Sequence, residues 1–378
     1  MKIGLFTDTY IPEVNGVATV VKTMVRELGR EGHEVYVFCP RHPNRDDSST
    51  GVYGFPSLRF VFYKGLRAAI PYSRSALRLI PSLDIIHSHD PGSIGLMGLW
   101  ASKRYHIPHV HTYHTLFMDY RRYLPRVIRP TRGMVKSMSR IFCNRCDAII
   151  APSSQMKKEL ESYGITRPIY ALPFGVDVEE FSDEIRWNVR TALNIQAKDL
   201  LLYVGRLGLE KNLDFLLRAF RQILSLRPGA RLIIAGDGPQ REFLERYAAS
   251  LGIAPSVTFI GYLQRHDLVD LYKQALFVFA SKTETQGLVL VEAMMAGAAV
   301  VAIGIMGPRD IIKSGETGIL VGEDENEFAQ ACDRLLQDDN ERQRIGMAAH
   351  EWARSQSSQV STKRLLDIYS HCMGKSQL

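Results

Sequence analysis

The stretch ALFVFASKTETQGLVLVEAMMAGAAVVAI, residues 275–303, decides the architecture. Its apolar run Ala275–Ala280 has the length of a buried strand, and the polar residues after it end that strand. Gly287 then opens a second apolar segment, extending to Gly307, with a single charge at Glu292. That segment is long enough to raise the question of a membrane span. Its density of Gly and Ala, and a glutamate well inside, instead fit a buried helix followed by a buried strand at Ala299–Ile303. Strand, polar loop, helix, strand is the parallel α/β unit, and the loop falls where such sheets bind ligands.

The same alternation runs outward in both directions. Leu200–Val204, Arg231–Ala235, Val257–Ile260 and Gly318–Val321 read as further strands around this unit. An earlier series comprises Lys2–Phe6, a helix over Val17–Arg30, and strands at Glu34–Cys39, Asp84–His87, Pro108–His111, Ala148–Ile150 and Ile169–Leu172. Between the series, Pro173-Phe174-Gly175-Val176-Asp177 is rich in turn residues and reads as a linker. The expectation is an α/β protein of two Rossmann-like lobes, each with a parallel sheet, facing across a cleft.

A length of 378 residues suits two domains, and 46% hydrophobic with 23% charged residues is the balance of a folded enzyme. Five cysteines are too few for a disulfide scaffold and point to a reducing cytoplasm. Lys2 precedes only the short apolar run Ile3–Phe6, so no export signal is expected. Residues 1–180 contain 24 Lys/Arg and 16 Asp/Glu, whereas the rest contains 23 and 24. The excess positive charge therefore lies in the first half, the candidate for meeting an anionic surface.

Chemistry-bearing residues follow the strands. Asn15-Gly16 precedes the first helix, where a glycine lets backbone N–H groups approach a phosphate; a plain tight turn is the alternative. Gly205-Arg206 follows Leu200–Val204, with Lys211 five residues beyond Arg206, and the two cations suit diphosphate oxygens; taken alone, a carbonyl-capping Arg206 and a solvated Lys211 are the favoured alternative. Glu284 lies in the loop after Ala275–Ala280, and Glu292 is expected about two turns into the helix. A carboxylate in so apolar a helix needs hydrogen-bond donors. A ribose diol would supply them, and an internal ion pair is the competing account. Neither GxGxxG nor GxxxxGK[ST] occurs, which argues against dinucleotide oxidoreductases and P-loop NTPases.

Taken together these residues resemble the family-4 retaining glycosyltransferases. The E-x7-E element of that family matches Glu284 and Glu292, and its phosphate clamp matches Gly205, Arg206 and Lys211. Its characteristic turn matches Ala235-Gly236-Asp237-Gly238-Pro239, and its first loop matches Asn15-Gly16. The resemblance implies that Arg206 and Lys211 hold the departing nucleotide diphosphate. It implies that Glu292 binds the ribose, and that Glu284 with the N–H groups near Gln286, Gly287 and Leu288 holds the sugar and β-phosphate. Gly261-Tyr262-Leu263 would meet the base through backbone groups. Tyr113-His114-Thr115 matches the family's aromatic-His-Thr better than His111 does, placing His114 near the reacting end of the sugar.

No cofactor and no metal are implied, and no Asp-x-Asp occurs. A zinc site built from His87, His89, His111 and His114 is the alternative reading of that histidine-rich region. Cys143-Asn144-Arg145-Cys146 lacks a second ligand pair. Gly307-Pro308-Arg309-Asp310 departs from the family, which usually has an acidic residue directly after the proline.

Between Tyr120 and Asp147 the chain carries Arg121, Arg122, Arg126, Arg129, Arg132, Lys136, Arg140 and Arg145, interleaved with apolar side chains and free of acidic ones. A basic amphipathic stretch of this kind reads as a membrane-surface helix, against a solvated face or RNA binding. Arg59–Arg78, with Phe60, Phe62, Tyr63 and Tyr72, is a second basic stretch. The text around Tyr113–Tyr120 and Thr283–Gly287 resembles the diacylglycerol-glycosylating branch. The expected reaction moves glucose or galactose from a UDP-sugar to diacylglycerol or a monoglycosyl-diacylglycerol, with the enzyme cytoplasmic and peripheral to the membrane. Its rivals are transfer to a soluble, envelope or sulfolipid-precursor acceptor, and a catalytically silent sugar-nucleotide-binding partner. Residues 1–173 would form the acceptor- and membrane-binding lobe and 174–355 the nucleotide-sugar lobe, with 356–378 a helix returning to the first lobe.

Overall fold

Short apolar runs that cannot bury both faces alone pair in parallel, and their helical crossovers cover the sheets. The computed structural model describes residues 1–13, 15–45, 51–59, 67–70, 72–116, 118, 129–181 and 184–375. The chain divides into Met1–Phe174 with Ser358–Leu378, and Gly175–Ser357.

In the first unit the elements are β1 (Lys2–Phe6), α1 (Gly16–Arg30), β2 (Glu34–Pro40), β3 (Val52–Phe55), β4 (Ser57–Arg59), β5 (Arg67–Ala69) and α2 (Arg74–Leu79). They continue with β6 (Ile85–Ser88), α3 (Ser93–Tyr105), β7 (His109–Thr112), α4 (Arg132–Cys143), β8 (Ala148–Ala151), α5 (Ser154–Ser162) and β9 (Ile169–Ala171). The described strands form a parallel sheet in the order β3-β2-β1-β6-β7-β8-β9, with β4 and β5 pairing apart as an antiparallel hairpin. The order reverses between β1 and β6, the switch point at which α/β sheets take ligands.

One face of this sheet carries Phe6, Phe38, Phe55 and Ile86 packed with Ala69 of β5, Ala76 of α2 and Ile94, Met97 and Ala101 of α3. Asn15, Thr131 and Ser153 cap α1, α4 and α5 by accepting from the N–H groups of Ala18, Met134 and Met156.

The second unit contains α6 (Val189–Ala192), β10 (Leu200–Val204), α7 (Leu213–Leu226), β11 (Arg231–Ala235), α8 (Arg241–Ser250), β12 (Val257–Gly261) and α9 (Arg265–Lys273). It ends with β13 (Leu276–Phe279), α10 (Leu288–Met295), β14 (Val300–Ile303), α11 (Pro308–Ile311), β15 (Ile319–Val321), α12 (Glu325–Gln337) and α13 (Asp339–Ser355). Its parallel sheet runs β12-β11-β10-β13-β14-β15, again reversing beside the first strand of the unit. The segment that raised the question of a membrane span is α10 followed by β14, buried throughout its core. No helix among the described residues is long and apolar enough to cross a membrane.

The last helix, α14 (Ser358–Lys375), belongs to the first unit. Ser358 Oγ donates to Glu27 of α1 at 3.2 Å, and the fully buried Tyr369 meets His87 of β6.

Two sequence expectations change. The basic stretch from Tyr120 to Asp147 is helical only over α4 among its described residues, and Arg121, Arg122 and Arg126 lie outside them. The stretch Arg59–Arg78 contains the β4–β5 hairpin and α2, with Phe60, Phe62 and Tyr63 also outside the described residues.

Candidate active site

In the second unit the loops after β10, β11, β12 and β13 all sit at the carboxyl end of the sheet. Gly205 follows β10, and its N–H donates to Ala235 O at 3.0 Å. Gly236 has φ +138 and donates to Gly261 O at 2.7 Å; a Cβ there would collide with Gly205 O, so only glycine fits between the two loops. Close approach of these backbones brings the loops bearing Arg206, Gly236 and Gly261 together, with the Tyr203 hydroxyl donating to Arg206 O at 3.4 Å. Tyr262 is exposed, and its hydroxyl donates to Asp237 O at 3.2 Å. Leu263 follows, half-buried.

Lys211 closes the short turn Leu209–Lys211 after β10 and donates to Glu284 Oε2 at 2.5 Å. Residues far apart in sequence thus form one ion pair, each partner about one-fifth exposed (18% and 20%). Glu284 is held from behind, because its carbonyl accepts from Gly307 N at 2.9 Å. Gly287 takes φ +89 as the residue before α10, while Thr285 and Gln286 are buried. The N–H groups of Leu290 and Val291 donate to Gly287 O at 2.9 and 3.3 Å, whereas helical geometry leaves those of Leu288 and Val289 without helical partners, and these favour an anion beside Glu284 and Lys211. Arg309, where relatives usually have an acidic residue, donates to Gly304 O.

Glu292 is the fifth residue of α10, so it lies little more than one turn in, because the helix starts at Leu288 and no earlier. It is buried with both oxygens engaged: Arg265 Nη1 donates at 2.6 Å and Tyr272 Oη at 3.0 Å. Arg265 also donates to Glu180 at 2.8 Å and lies over the Phe181 ring at 5.4 Å. The internal ion pair weighed in the sequence therefore exists. Each carboxylate oxygen has two lone pairs, so the pair fixes Glu292 while leaving acceptor capacity for a diol. Burial, and after it the Glu292 charge, push the Tyr272 hydroxyl far above its ordinary value, so it stays a donor. Arg265, Glu180 and Tyr272 escaped sequence reasoning. An arginine at the start of α9, 27 residues before Glu292, gives no spacing signal.

In the first unit Asn15 and Gly16 stand at the start of α1. The Asn15 amide donates to Thr9 Oγ1 at 2.8 Å, Thr9 donates to Glu13, and a Cβ on Gly16 would meet no atom within 4 Å. Asp8 caps α3 through Ser93 Oγ at 2.7 Å and Ile94 N at 3.0 Å. Asp90, just after β6, is pushed well above the usual carboxyl range by burial, then by Asp8 and Glu13. Its Oδ2 has no partner among the described residues.

The histidines separate by face. On one side, His87 meets Tyr369 Oη at 2.6 Å and Thr112 Oγ1 at 2.7 Å. On the other, Ser88 Oγ lies 2.7 Å from His109 and 2.8 Å from His111, and both rings pack against Phe142 of α4. His111 is thus a buried structural residue. His114 lies beyond the strand, partly exposed, with Nε2 2.9 Å from His89 Nδ1 and its ring 5.6 Å from that of Phe174. Burial lowers His114 and His109 to about 3, and lowers His87, His89 and His111 well below the usual imidazole range, so all are neutral. Among the described residues no three His, Cys, Asp or Glu side chains are grouped as metal ligands, and His87 and His111 on opposite faces explain why the four do not converge. Cys143 and Cys146 are buried thiols, with Cys143 pushed up to about 12.

Of the basic residues assigned to a lipid surface, Arg132 and Arg140 are exposed and Arg129 is half-buried. Lys136 lies over the Tyr163 ring at 5.0 Å, which ties its charge to the protein.

Residues 14–180 match the description "Glycosyltransferase Family 4", and residues 185–352 match "Glycosyl transferases group 1". The chain is 36% identical over 317 residues to an alpha-monoglucosyldiacylglycerol synthase of Streptococcus pneumoniae, covering 80% of this chain and 71% of that one. It is 29% identical over 389 residues to a GDP-mannose-dependent alpha-mannosyltransferase of Mycobacterium tuberculosis, covering 99% and 98%. The structure of HepE from Anabaena, solved with UDP and glucose, superposes with a TM-score of 0.81 at 18% identity, covering 98% of this chain and all of that one, and so shares the fold. With its two parallel-sheet units matched in order by the two descriptions, the chain belongs to glycosyltransferase family 4.

Proposed function

We propose that the protein transfers glucose or galactose from a UDP-sugar to diacylglycerol or monoglycosyl-diacylglycerol at a membrane surface, with retention at the anomeric carbon. The observation that carries the donor half is the Lys211–Glu284 pair beside the start of α10. A cation for the leaving diphosphate, a carboxylate for the sugar hydroxyls and helix N–H groups for the β-phosphate meet within one loop cluster. The similarity to the pneumococcal synthase supports the acceptor half.

In this reading the bond from the anomeric carbon to the β-phosphate oxygen breaks, and its electron pair leaves with UDP. Arg206, Lys211 and the α10 N–H groups meet the charge that develops there, the largest help available to such a step. The acceptor hydroxyl bonds to the same face of the sugar and passes its proton to the departing phosphate oxygen. No glycosidase-like carboxylate pair is required. Neither a metal nor a cofactor enters the reaction, because protein cations neutralise the diphosphate. Glu292, fixed by Arg265, takes the ribose diol. His114, neutral, hydrogen-bonds the sugar near its reacting end. Asn15 and Gly16, at the start of α1, offer a phosphate-binding helix N-terminus, and Tyr262 and Leu263 with Gly261 meet the uracil. The exposed basic residues of α4 hold the enzyme on anionic lipid at about 1 kcal/mol each.

The test is release of nucleoside diphosphate from UDP-glucose, UDP-galactose and GDP-mannose, with and without diacylglycerol or monoglycosyl-diacylglycerol in anionic micelles. Release from a UDP-sugar that depends on one of the lipids supports the reading. Lipid-independent turnover favours a soluble acceptor, and release from GDP-mannose alone overturns the donor assignment.

A further inference from the structure

We infer that α3, which nothing above assigns to binding, forms a second lipid-facing element beside α4, with Trp100 seated among the headgroups of an anionic bilayer. The inference rests on the membrane reading above and adds to it a surface, an occupant and an anchor residue.

The helix buries one side fully. Ile94, Met97, Ala101 and Ser102 are covered, as are Gly95 and Gly98. Its other side exposes Leu96 and Trp100, one turn apart, at 54% and 50%. On α4, Val135, Ser139, Phe142 and Cys143 are buried, while Met134, Met138 and Ile141 are exposed at 55%, 66% and 52%. A helix of a water-soluble face does not normally leave large apolar side chains at successive turns, and adjoining patches of this kind mark an interaction surface.

The two helices share one side of the sheet. They are the consecutive crossovers β6-α3-β7 and β7-α4-β8 between adjacent parallel strands, and right-handed crossovers in one direction fall on one face. Phe142 shows the adjacency directly: its ring packs on His109 and His111 of β7, and its Cζ lies 3.9 Å from where a Cβ on Gly95 of α3 would be. The outward sides of both helices therefore belong to a single surface.

Charge selects the occupant. Exposed basic residues around the apolar ones are Lys103 and Arg104 on α3, and Arg132, Arg140 and Arg145 on or just after α4. Between Asp90 and Asp147 the sequence has one acidic residue, Asp119. A second copy of the chain docked through this surface about a two-fold axis would set the same positive charges against each other. Nucleic acid would neutralise the charge and leave the apolar side chains unmet. An anionic bilayer answers both: phosphate headgroups meet the cations, and the interface takes Trp, Leu, Met and Ile. Trp100 lies edge-on to Tyr105 at 6.0 Å, and Arg104 lies over Tyr105 at 5.3 Å, an aromatic and cationic pairing suited to the headgroup level.

The experiment uses the full chain with Trp187→Phe and Trp352→Phe, which leaves Trp100 as the sole tryptophan. Wild type compared with Trp100→Phe gives the same reading where the double replacement impairs folding. Vesicles of phosphatidylcholine, alone or equimolar with phosphatidylglycerol, are added, and emission and quenching by brominated lipid are recorded. The expected result is a blue shift and quenching with the anionic vesicles only. Trp100→Ala with Leu96→Ala should weaken vesicle binding about tenfold at unchanged UDP affinity and urea stability. Salt-sensitive vesicle binding without a Trp100 response, and with full binding by the double alanine variant, overturns the α3 proposal while sparing α4. Absence of any vesicle binding overturns the membrane reading itself. A blue shift that grows with protein concentration without lipid overturns the proposal in favour of self-association.

Discussion

Acidification from pH 7.5 to pH 5.5 should selectively destabilise the first unit. His87, His89, His109 and His111 are fully buried there, His114 is partly exposed beside His89, and burial keeps all five neutral in the folded state. In the unfolded chain each titrates near its ordinary value, about 6.5. A folded-state value lowered below the unfolded one means that the unfolded chain takes up more protons as pH falls through 6.5, so stability falls with it. Over this interval each histidine costs about 1.4 kcal/mol. Asp8, Glu13 and Asp90 act in the opposite sense, since their raised values let the folded state take up protons first. Between two and five uncompensated histidines remain, a loss of about 3–7 kcal/mol against a typical total of about 5–15. The second unit has no fully buried histidine among its described residues, so it should change little. Urea titrations at both pH values, with peptide-resolved hydrogen exchange separating the units, measure the difference. A first unit whose stability is flat or rises on acidification would refute the reasoning.

Lys211→Ala should reduce turnover by about 10²–10³ while leaving vesicle binding unchanged, and normal turnover would remove Lys211 from the diphosphate clamp. Arg265→Met leaves the buried Glu292 short of a donor and should cost the second unit about 1–3 kcal/mol in urea, with weaker UDP binding; unchanged UDP affinity would make the pair purely structural. Tyr369→Phe removes the bond to His87 and should cost the first unit about 1–2 kcal/mol, read as faster hydrogen exchange in the C-terminal helix. His114→Ala should lower turnover at nearly constant stability, whereas His111→Ala should destabilise the first unit by about 2–4 kcal/mol through the lost contacts with Ser88 and Phe142. The reverse pattern would exchange their roles.

The alternation of apolar runs and amphipathic stretches determined the α/β class and the main strands of both sheets, whereas β3, β4 and β5 gave no such signal. Strands buried on both faces must be short and continuously apolar, and that pattern survives in one dimension. Glu284, Lys211, Gly205 and Gly287 were legible for a related reason: loops at strand ends demand particular residue types at close spacing. What the sequence left open was every relation between distant residues. Glu292 read as a ribose ligand, with an ion pair as the lesser alternative, until folding brought Arg265 and Tyr272 to it. The histidine-rich strands read as a potential zinc site until β-strand alternation sent His87 to Tyr369 and His111 to Ser88 on opposite faces. Leu96 and Trp100 gave no signal at all in an apolar helix. Which of its sides faces water is set by the sheet it crosses, and only tertiary structure decides that.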